Sequence, residues 1–525
     1  MSAAAEPARA WTSGVNPWVI AVSVMLATFL EVLDTSVANV ALPHIAGNLS
    51  ATTDESTWVL TSYLVSNAII LPATNWITHY FGRKRFLITC ITIFTLSSAL
   101  CGAATSLPML IFARVMQGAG GGALQPISQA ILLESFPPEK RGQAMALFGV
   151  GIIVAPIIGP TLGGWITDNY SWRWIFYINV PIGALAVLMV STFIEDPPYI
   201  RAQRPGRIDY VGFGLMAAGL AALQLVLDKG QQDDWFASSF ITWTAVLSFA
   251  ALAAFIVWEL RSMEPIVDLR VLKNRNFATG TLLMAMMGVV LYGSTALLPL
   301  FLQTLLGYPA TASGMAVSPR GFGAVLSMII VGRLVNRVDG RWLIMFGFAV
   351  LAYSTHMLAG LSLDIAMSNI VWPMVISGFA MGFIFVPLTT MAMGTLPNEQ
   401  IGNATGVYSL MRNTGGSIGI AAMSTLLSRG AQVHQSVIAS HITPYDPQFR
   451  QWVGQLRGAS GVAPVSGGMI PPEALASAYG VVVRQSMLMS YMDNFRLLAF
   501  LCLICVPAVL LFRRVRAKGG PVAMH

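Results

Sequence analysis

The sequence predicts an all-α polytopic membrane protein of fourteen spanning helices, and three observations carry that prediction. The 525 residues are 55% hydrophobic and only 10% charged, against about 25% charged residues in an average soluble domain. Apolar runs of the length that crosses a hydrocarbon core about 30 Å thick recur along nearly the whole chain. Lys and Arg gather in alternate short loops between those runs, which is how cytoplasmic loops of membrane proteins are charged. The net charge of +7 is therefore a property of loops, and no nucleic-acid partner is expected.

Spans are expected over residues 17–40, 57–78, 86–105, 107–133, 144–166, 175–193, 208–227, 238–258, 277–303, 311–333, 342–361, 369–391, 401–427 and 493–512. The N-terminal tail, 1–16, carries no short apolar core with a small-residue cleavage site, so the first span is expected to stay as an anchor. Loops 79–85, 137–143, 197–207, 259–276 and 332–341 and the tail 513–525 are basic, whereas 47–57 and 228–235 are neutral or acidic. That alternation, with an even number of spans, predicts both termini in the cytoplasm. Loop 397–405, with no basic residue, is the exception.

One connection, 428–492, is far longer than the others, on the outer side, and its stretches SVIASHI, FRQWVGQL and PPEALASAYGVVVRQSM read as short amphipathic helices. Cys90, Cys101, Cys502 and Cys505 all lie in apolar segments, so neither a disulfide nor a metal site is expected. No GxxxxGK[ST] occurs, which argues against direct ATP drive. No nucleophile and base pair points to an enzyme.

Gly/Arg-rich turns, FGRKR after the second span and GRLVNRVDGR after the tenth, mark a repeat. They divide the chain into a six-helix half over 17–193, an inserted pair of spans with its linkers over 194–276, and a second six-helix half over 277–512 that includes loop 428–492.

Of the 23 acidic residues, Glu31 and Asp34 are the two well inside a predicted span. An ionised acid at mid-bilayer costs roughly 2.5–3.5 kcal/mol on insertion scales, so such residues face a cavity or a partner and mark an ion or substrate path. Three residues apart, they share one helix face. Two acids on one face disfavour double ionisation, which suits a group that takes up a proton on one side and loses it on the other; a static buried ion pair is the competing reading. Arg114 is the basic residue within the first six spans and lies at the depth of Asp34, about 10 Å from the same face at 1.5 Å per residue. Gln117 shares its face, with Gln125 and Gln129 further in. In the second half Arg320 and Arg412 are the intramembrane charges, and no acid accompanies them well inside those spans. Tyr63, Asn67, Tyr292, Gln303 and Phe383 complete the candidate cavity lining by depth and type.

These segments resemble a known family. LDTSVANVALPHIA (33–46), RVMQGAGGGALQP (114–126), APIIGPTLGGW (155–165), WRWIFYINVPIG (172–183), PIVDLRVLKNRNF (265–277) and RNTGGSIG (412–419) are together similar to the motifs of the fourteen-helix drug:proton antiporters of the major facilitator superfamily, in their EmrB/QacA-like branch. The resemblance implies the major facilitator fold and export of amphipathic drug-like or lipid-like molecules by exchange with protons, without a cofactor. It also implies a periplasmic adaptor and an outer-membrane channel as partners, and a conformational role for Gly82, Arg83, Lys84, Gly159, Pro160, Gly163 and Gly164. Export of an endogenous fatty acid, siderophore or envelope precursor uses the same machinery, and a transport-inactive sensor or scaffold is the reading from another class. The chain departs from the family's second-to-third loop, with Asn75, His79 and Tyr80 where Gly, Asp and Arg are usual, and it has Ala155 where the antiporter motif opens on Gly.

Overall fold

Fourteen membrane crossings are built from seventeen α-helices among the described residues, because three crossings are broken. The structure is a computed structural model that describes residues 14–196, 209–335, 337–442, 447, 449, 451 and 472–513. The first half comprises α1 (Pro17–Asn48), α2 (Thr53–Phe81), α3 (Arg83–Ala103), α4 (Leu107–Gly121), α5 (Leu124–Ser135), α6 (Arg141–Asn169), α7 (Trp174–Tyr177) and α8 (Asn179–Phe193). The inserted pair is α9 (Tyr210–Lys229) and α10 (Ser239–Arg261). The second half comprises α11 (Arg275–Thr304), α12 (Ala310–Val317), α13 (Pro319–Leu334), α14 (Gly340–Leu358), α15 (Ser368–Met393), α16 (Asn398–His441) and α17 (Pro472–Ala508). A helix satisfies its own backbone, which hydrocarbon cannot do for it, and ten of these stretches are each long and apolar enough to cross a membrane.

The breaks follow local chemistry. The fourth crossing, α4 with α5, changes course in the run GAGGGA. The tenth, α12 with α13, breaks before Pro319, which sits at the first helical position, where its missing N–H costs nothing. The helices outrun the expected spans: α1 extends to Asn48, and α2 starts at Thr53 behind a reciprocal Thr52–Glu55 cap.

The largest departure from expectation concerns loop 428–492. Its first and last parts are not separate short helices: SVIASHI continues α16 without a break, and PPEALASAYGVVVRQSM belongs almost wholly to α17. Amphipathic patterning cannot distinguish a new helix from the overhang of an old one. At 44 residues α16 is about 66 Å long at 1.5 Å per residue, about twice the hydrocarbon thickness. FRQWVGQL lies almost entirely outside the described residues.

The basic end of the bundle carries loops 79–85, 137–143 and 259–276, and the far end carries the overhang of α16 and α17. The halves meet along α6, which touches α1 on one side and α12 and α13 on the other. They also meet where α2 faces α16. Helix α9 binds both: Asp228 accepts from Thr61, Lys229 donates to Thr57, Gln224 accepts from Ser417 at 3.1 Å, and the neighbouring Trp235 donates to Thr425 at 3.0 Å.

Candidate functional site

The site begins on α1. Glu31 and Asp34 lie on one face of this helix and both are buried, while Ser36 turns to α6 and donates to the Pro156 carbonyl at 3.1 Å. Gly159 and Gly163 make that second contact possible, since a Cβ on either would fall within 3 Å of Ser36 or Val37 side-chain atoms. The glycines of the antiporter motif thus face the helix that carries the acids. Pro160 lies one residue on, within the same helix, and Gly164 is buried and gives its carbonyl to Thr167.

Asp34 is held by three donors. Arg114 Nη1 reaches its Oδ2 at 2.6 Å, and Gln117 Nε2 and Asn179 Nδ2 reach its Oδ1 at 2.9 and 2.7 Å. Arg114 is fully buried; its Nε donates to the Val59 carbonyl at 3.0 Å and its Nη1 also to Gln117 Oε1 at 2.8 Å. Its guanidinium lies 4.3 Å from the Tyr63 ring centroid and 5.7 Å from that of Phe176. The GAGGG run brings α4 close enough: a Cβ on Gly118 or Gly122 would strike the backbone of Tyr63 or Asn67 on α2, and one on Gly120 would strike the backbone of Cys90 and Phe94 on α3. Small residues let membrane helices approach in this way.

Glu31 is held by neutral groups. Tyr63 Oη and Asn67 Nδ2 donate to its Oε1 at 3.4 and 3.2 Å, and Gln125 Nε2 donates to its Oε2 at 2.5 Å. Tyr63 stands between the two carboxylates, with its hydroxyl on Glu31 and its ring under the arginine of Asp34. Gln125 also accepts from Arg412 Nη2 on α16, so the acid of the first half and an arginine of the second are joined through one amide. Arg412 is seated by Gly288 of α11, where a Cβ would lie 2.3 Å from the Arg412 carbonyl, and Tyr292 packs on Gly416 one turn on.

The other expected lining residues diverge. Arg320 is buried and donates to Thr295 and Ser294 hydroxyls at 2.8 and 3.1 Å, with its Nε unpartnered. Gln129 is buried with an unpartnered Nε2. Phe383 joins Phe346 and Phe379 in an aromatic cluster with centroids 5.0 Å apart, and Gln303, exposed near the far end, touches Ser313 at 3.5 Å. Neither meets the two acids.

At the basic end, where Asp and Arg of the usual loop are replaced, other residues make the contacts. Arg83 pairs in two-pronged fashion with Glu134 at 2.7 and 3.1 Å, and the Lys84 N–H donates to Asp196 at 2.7 Å. Gly82, at φ +85°, faces the same Asp196. Asn75 lies against Gly402 of the other half, whose added Cβ would fall 2.2 Å from its Oδ1.

Asn179 is the residue the sequence reading missed. It lies in the segment WRWIFYINVPIG, and the available signal was an amide inside an apolar run. Ser98, which accepts from Asn179 at 3.0 Å, and Asp196 and Glu134 at the basic end carried no signal above their surroundings.

The sequence model described as Major Facilitator Superfamily matches residues 24–420. The chain belongs to the major facilitator superfamily. It is 37% identical over 510 residues, 97% of each chain, to the multidrug export protein EmrB of Escherichia coli K12. It is 36% identical over 503 residues, 96% of this chain and 97% of that one, to the fatty acid resistance protein FarB of Neisseria gonorrhoeae. Among solved structures, the human organic anion transporter MFSD10 (TETRAN) superposes with a TM-score of 0.58 at 13% identity, over 93% of this chain and 99% of that one. A bacterial homolog of the human lysosomal transporter Spinster gives 0.53 at 17%, over 95% and 99%. These two share the fold.

Proposed function

We propose that this major facilitator protein exports amphipathic small molecules across the bacterial inner membrane in exchange for protons, by alternating access. One observation carries the reading: two buried carboxylates a single turn apart on α1 are held in opposite ways. Asp34 has a guanidinium and two amides on it and acts as the fixed anion that ties α1 to α4 and α8. Glu31 has neutral donors alone in direct contact and is the group that takes and releases the proton. Removing that charge loosens contacts to α2, α5 and, through Gln125, α16. Gradient-driven loading of Glu31 therefore biases how the halves pack, which is what rocking around a central site requires. The proton gradient supplies the energy and no cofactor is needed.

The basic loops orient the basic end, with both termini, to the cytoplasm. The relatives named for multidrug export support drug-like substrates. The relative named for fatty acid resistance supports a second reading within the same mechanism, export of an endogenous lipid-like acid, and buried arginines in the second half suit an anionic head group. The overhang of α16 and α17 then stands in the periplasm, its helices tied by His434–Asp493 at 2.8 Å and Gln435–Tyr479 at 3.1 Å, with Val433, Val437, Leu475 and Tyr479 exposed. That surface is the docking place for a periplasmic adaptor leading to an outer-membrane channel.

The test is uptake into inside-out proteoliposomes driven by an imposed pH gradient, with ethidium, deoxycholate and oleate as probes. Accumulation that collapses with the gradient supports exchange. Absence of gradient-driven movement for every probe, with correctly inserted protein, sinks it. Replacing residues 432–480 by a short Gly/Ser linker should leave liposome transport intact and abolish co-purification of the adaptor; retained capture refutes that docking place.

A further inference from the structure

We infer that Gln125 is a positioning residue that transmits the charge of Glu31 in the first half to Arg412 in the second, holding the halves together when Glu31 is ionised and parting them when it is protonated. This rests on the exchange mechanism proposed above only for its purpose; the geometry stands by itself.

The argument is one of donors and acceptors. A guanidinium has donors alone, an ionised carboxylate has acceptors alone, and a primary amide has an acceptor oxygen at one end of its plane and a donor NH2 at the other. Gln125 lies between the first two: its Oε1 accepts from Arg412 Nη2, and its Nε2 donates to Glu31 Oε2 at 2.5 Å. Arg412 therefore dictates which way the amide faces, and that orientation satisfies all three groups only while Glu31 is an acceptor. A proton on Oε2 turns that oxygen into a donor pointing at the amide NH2, and a proton on Oε1 leaves Oε2 an acceptor but replaces a charge-assisted bond by a neutral one, roughly half as strong. Turning the amide over restores the bond to Glu31 but aims the NH2 at the guanidinium, where two donors meet. In each case the contact between the halves is weakened. In a buried site such mismatches are not relieved by water, and leaving a buried donor unsatisfied costs on the order of 1–3 kcal/mol.

The surroundings make the amide the short route between the halves. Glu31 faces Asp34 on its own helix, Tyr63 on α2 with Arg114 behind it, Tyr292 on α11 and Arg412 on α16. Asp34 and Arg114 are engaged with each other, and Tyr63 and Tyr292 stay neutral at physiological pH. Arg412 is the remaining charge, and its other side-chain contact is its neighbour Asn413, at 3.3 and 3.4 Å. A direct Glu31–Arg412 ion pair would not respond in the same way, because the amide gives the response a direction: attraction becomes donor against donor.

The experiment needs no substrate. Spin labels at Lys140 and Trp342, exposed at the basic end of opposite halves, report the distance between the halves in nanodiscs, in a background with the four native cysteines replaced. Glu31→Gln, which mimics the protonated form, should shift the distance populations by about twofold or more, and the same change should have less than about a fifth of that effect in a Gln125→Met or Arg412→Met background, since residues acting through one another are non-additive. The Met variants remove the amide or the guanidinium from opposite sides, so failure of one to fold leaves the other. An undiminished Glu31→Gln shift in either Met background, or no shift with Gln125 present, overturns the relay. Probe flux by the wild type, measured separately, reports on the exchange reading.

Discussion

The two halves of the bundle differ in how they handle buried charge. The first half pairs one of its two acids internally: Asp34 and Arg114 lie at 2.6 Å, and Gln117 and Asn179 use the remaining acceptor of Asp34. The second half buries Arg320 and Arg412 with hydroxyls and amides as partners, and neither joins an ion pair among the described residues. The charge that answers Arg412 comes from Glu31, across the boundary between halves. A pair inside one half moves with it and costs nothing during rocking, whereas an interaction across the boundary must be remade in each cycle. The first arrangement suits an anchor, and the second suits a switch.

The sharpest way to break this comparison is to neutralise the anchor. Asp34→Asn leaves Arg114 buried and unanswered, and gradient-driven transport should fall at least about 100-fold, near 2.7 kcal/mol at about 1.4 kcal/mol per decade, with protein still extractable in monodisperse form. Near-normal transport would remove Asp34 from the mechanism. Breaking a buried pair costs about 3–5 kcal/mol, so Arg114→Ala should lower thermal stability as well as flux, and it should add less to Asp34→Asn than to the wild type. Additive losses in that cycle would mean that the pair does not act as one.

Asn179→Leu tests the bond that the sequence did not advertise. One hydrogen bond to a charged group is worth about 1.5–3 kcal/mol, so transport should drop roughly tenfold or more while its pH dependence keeps its shape; a changed shape would place Asn179 in the proton path instead. Glu31→Gln should do the reverse. It should flatten the pH profile of transport, and an unchanged profile assigns the proton elsewhere. The smallest effect is expected at Arg320. Arg320→Met should weaken oleate and deoxycholate transport by about threefold, about 0.7 kcal/mol, and leave ethidium unaffected; equal losses for all three would make Arg320 a structural tie.

The fold and most of the first half's site could be read from the sequence because the bilayer imposes a simple rule. Glu31, Asp34 and Arg114 are costly where they lie, so their presence announces a partner, and helix depth alone placed Asp34 and Arg114 level. Polar groups without charge are cheap enough to occur for many reasons, and this explains why Asn179 stood out less than Arg114. Phe383 illustrates the opposite error: its depth suited a cavity, but aromatic neighbours on α14 and α15 took it into packing. The basic-end contacts were not legible either. The pairs Arg83–Glu134 and Lys84–Asp196 join residues 51 and 112 positions apart, and no local pattern records such distances. The overhang of α16 and α17 was hidden because helical periodicity continues through a membrane surface without marking it.

The central claim is that substrate and protons move in opposite directions through carboxylates on α1. The most direct measurement follows lumenal pH in proteoliposomes with no imposed proton gradient, while a gradient of the best-transported probe lacking a titratable proton is applied across the membrane. The account predicts that downhill probe movement drives protons the opposite way in the wild type, and that Asp34→Asn and Glu31→Gln abolish this counterflow. A lumenal pH that stays flat while the wild type transports the probe, or that moves equally in both variants, would contradict it.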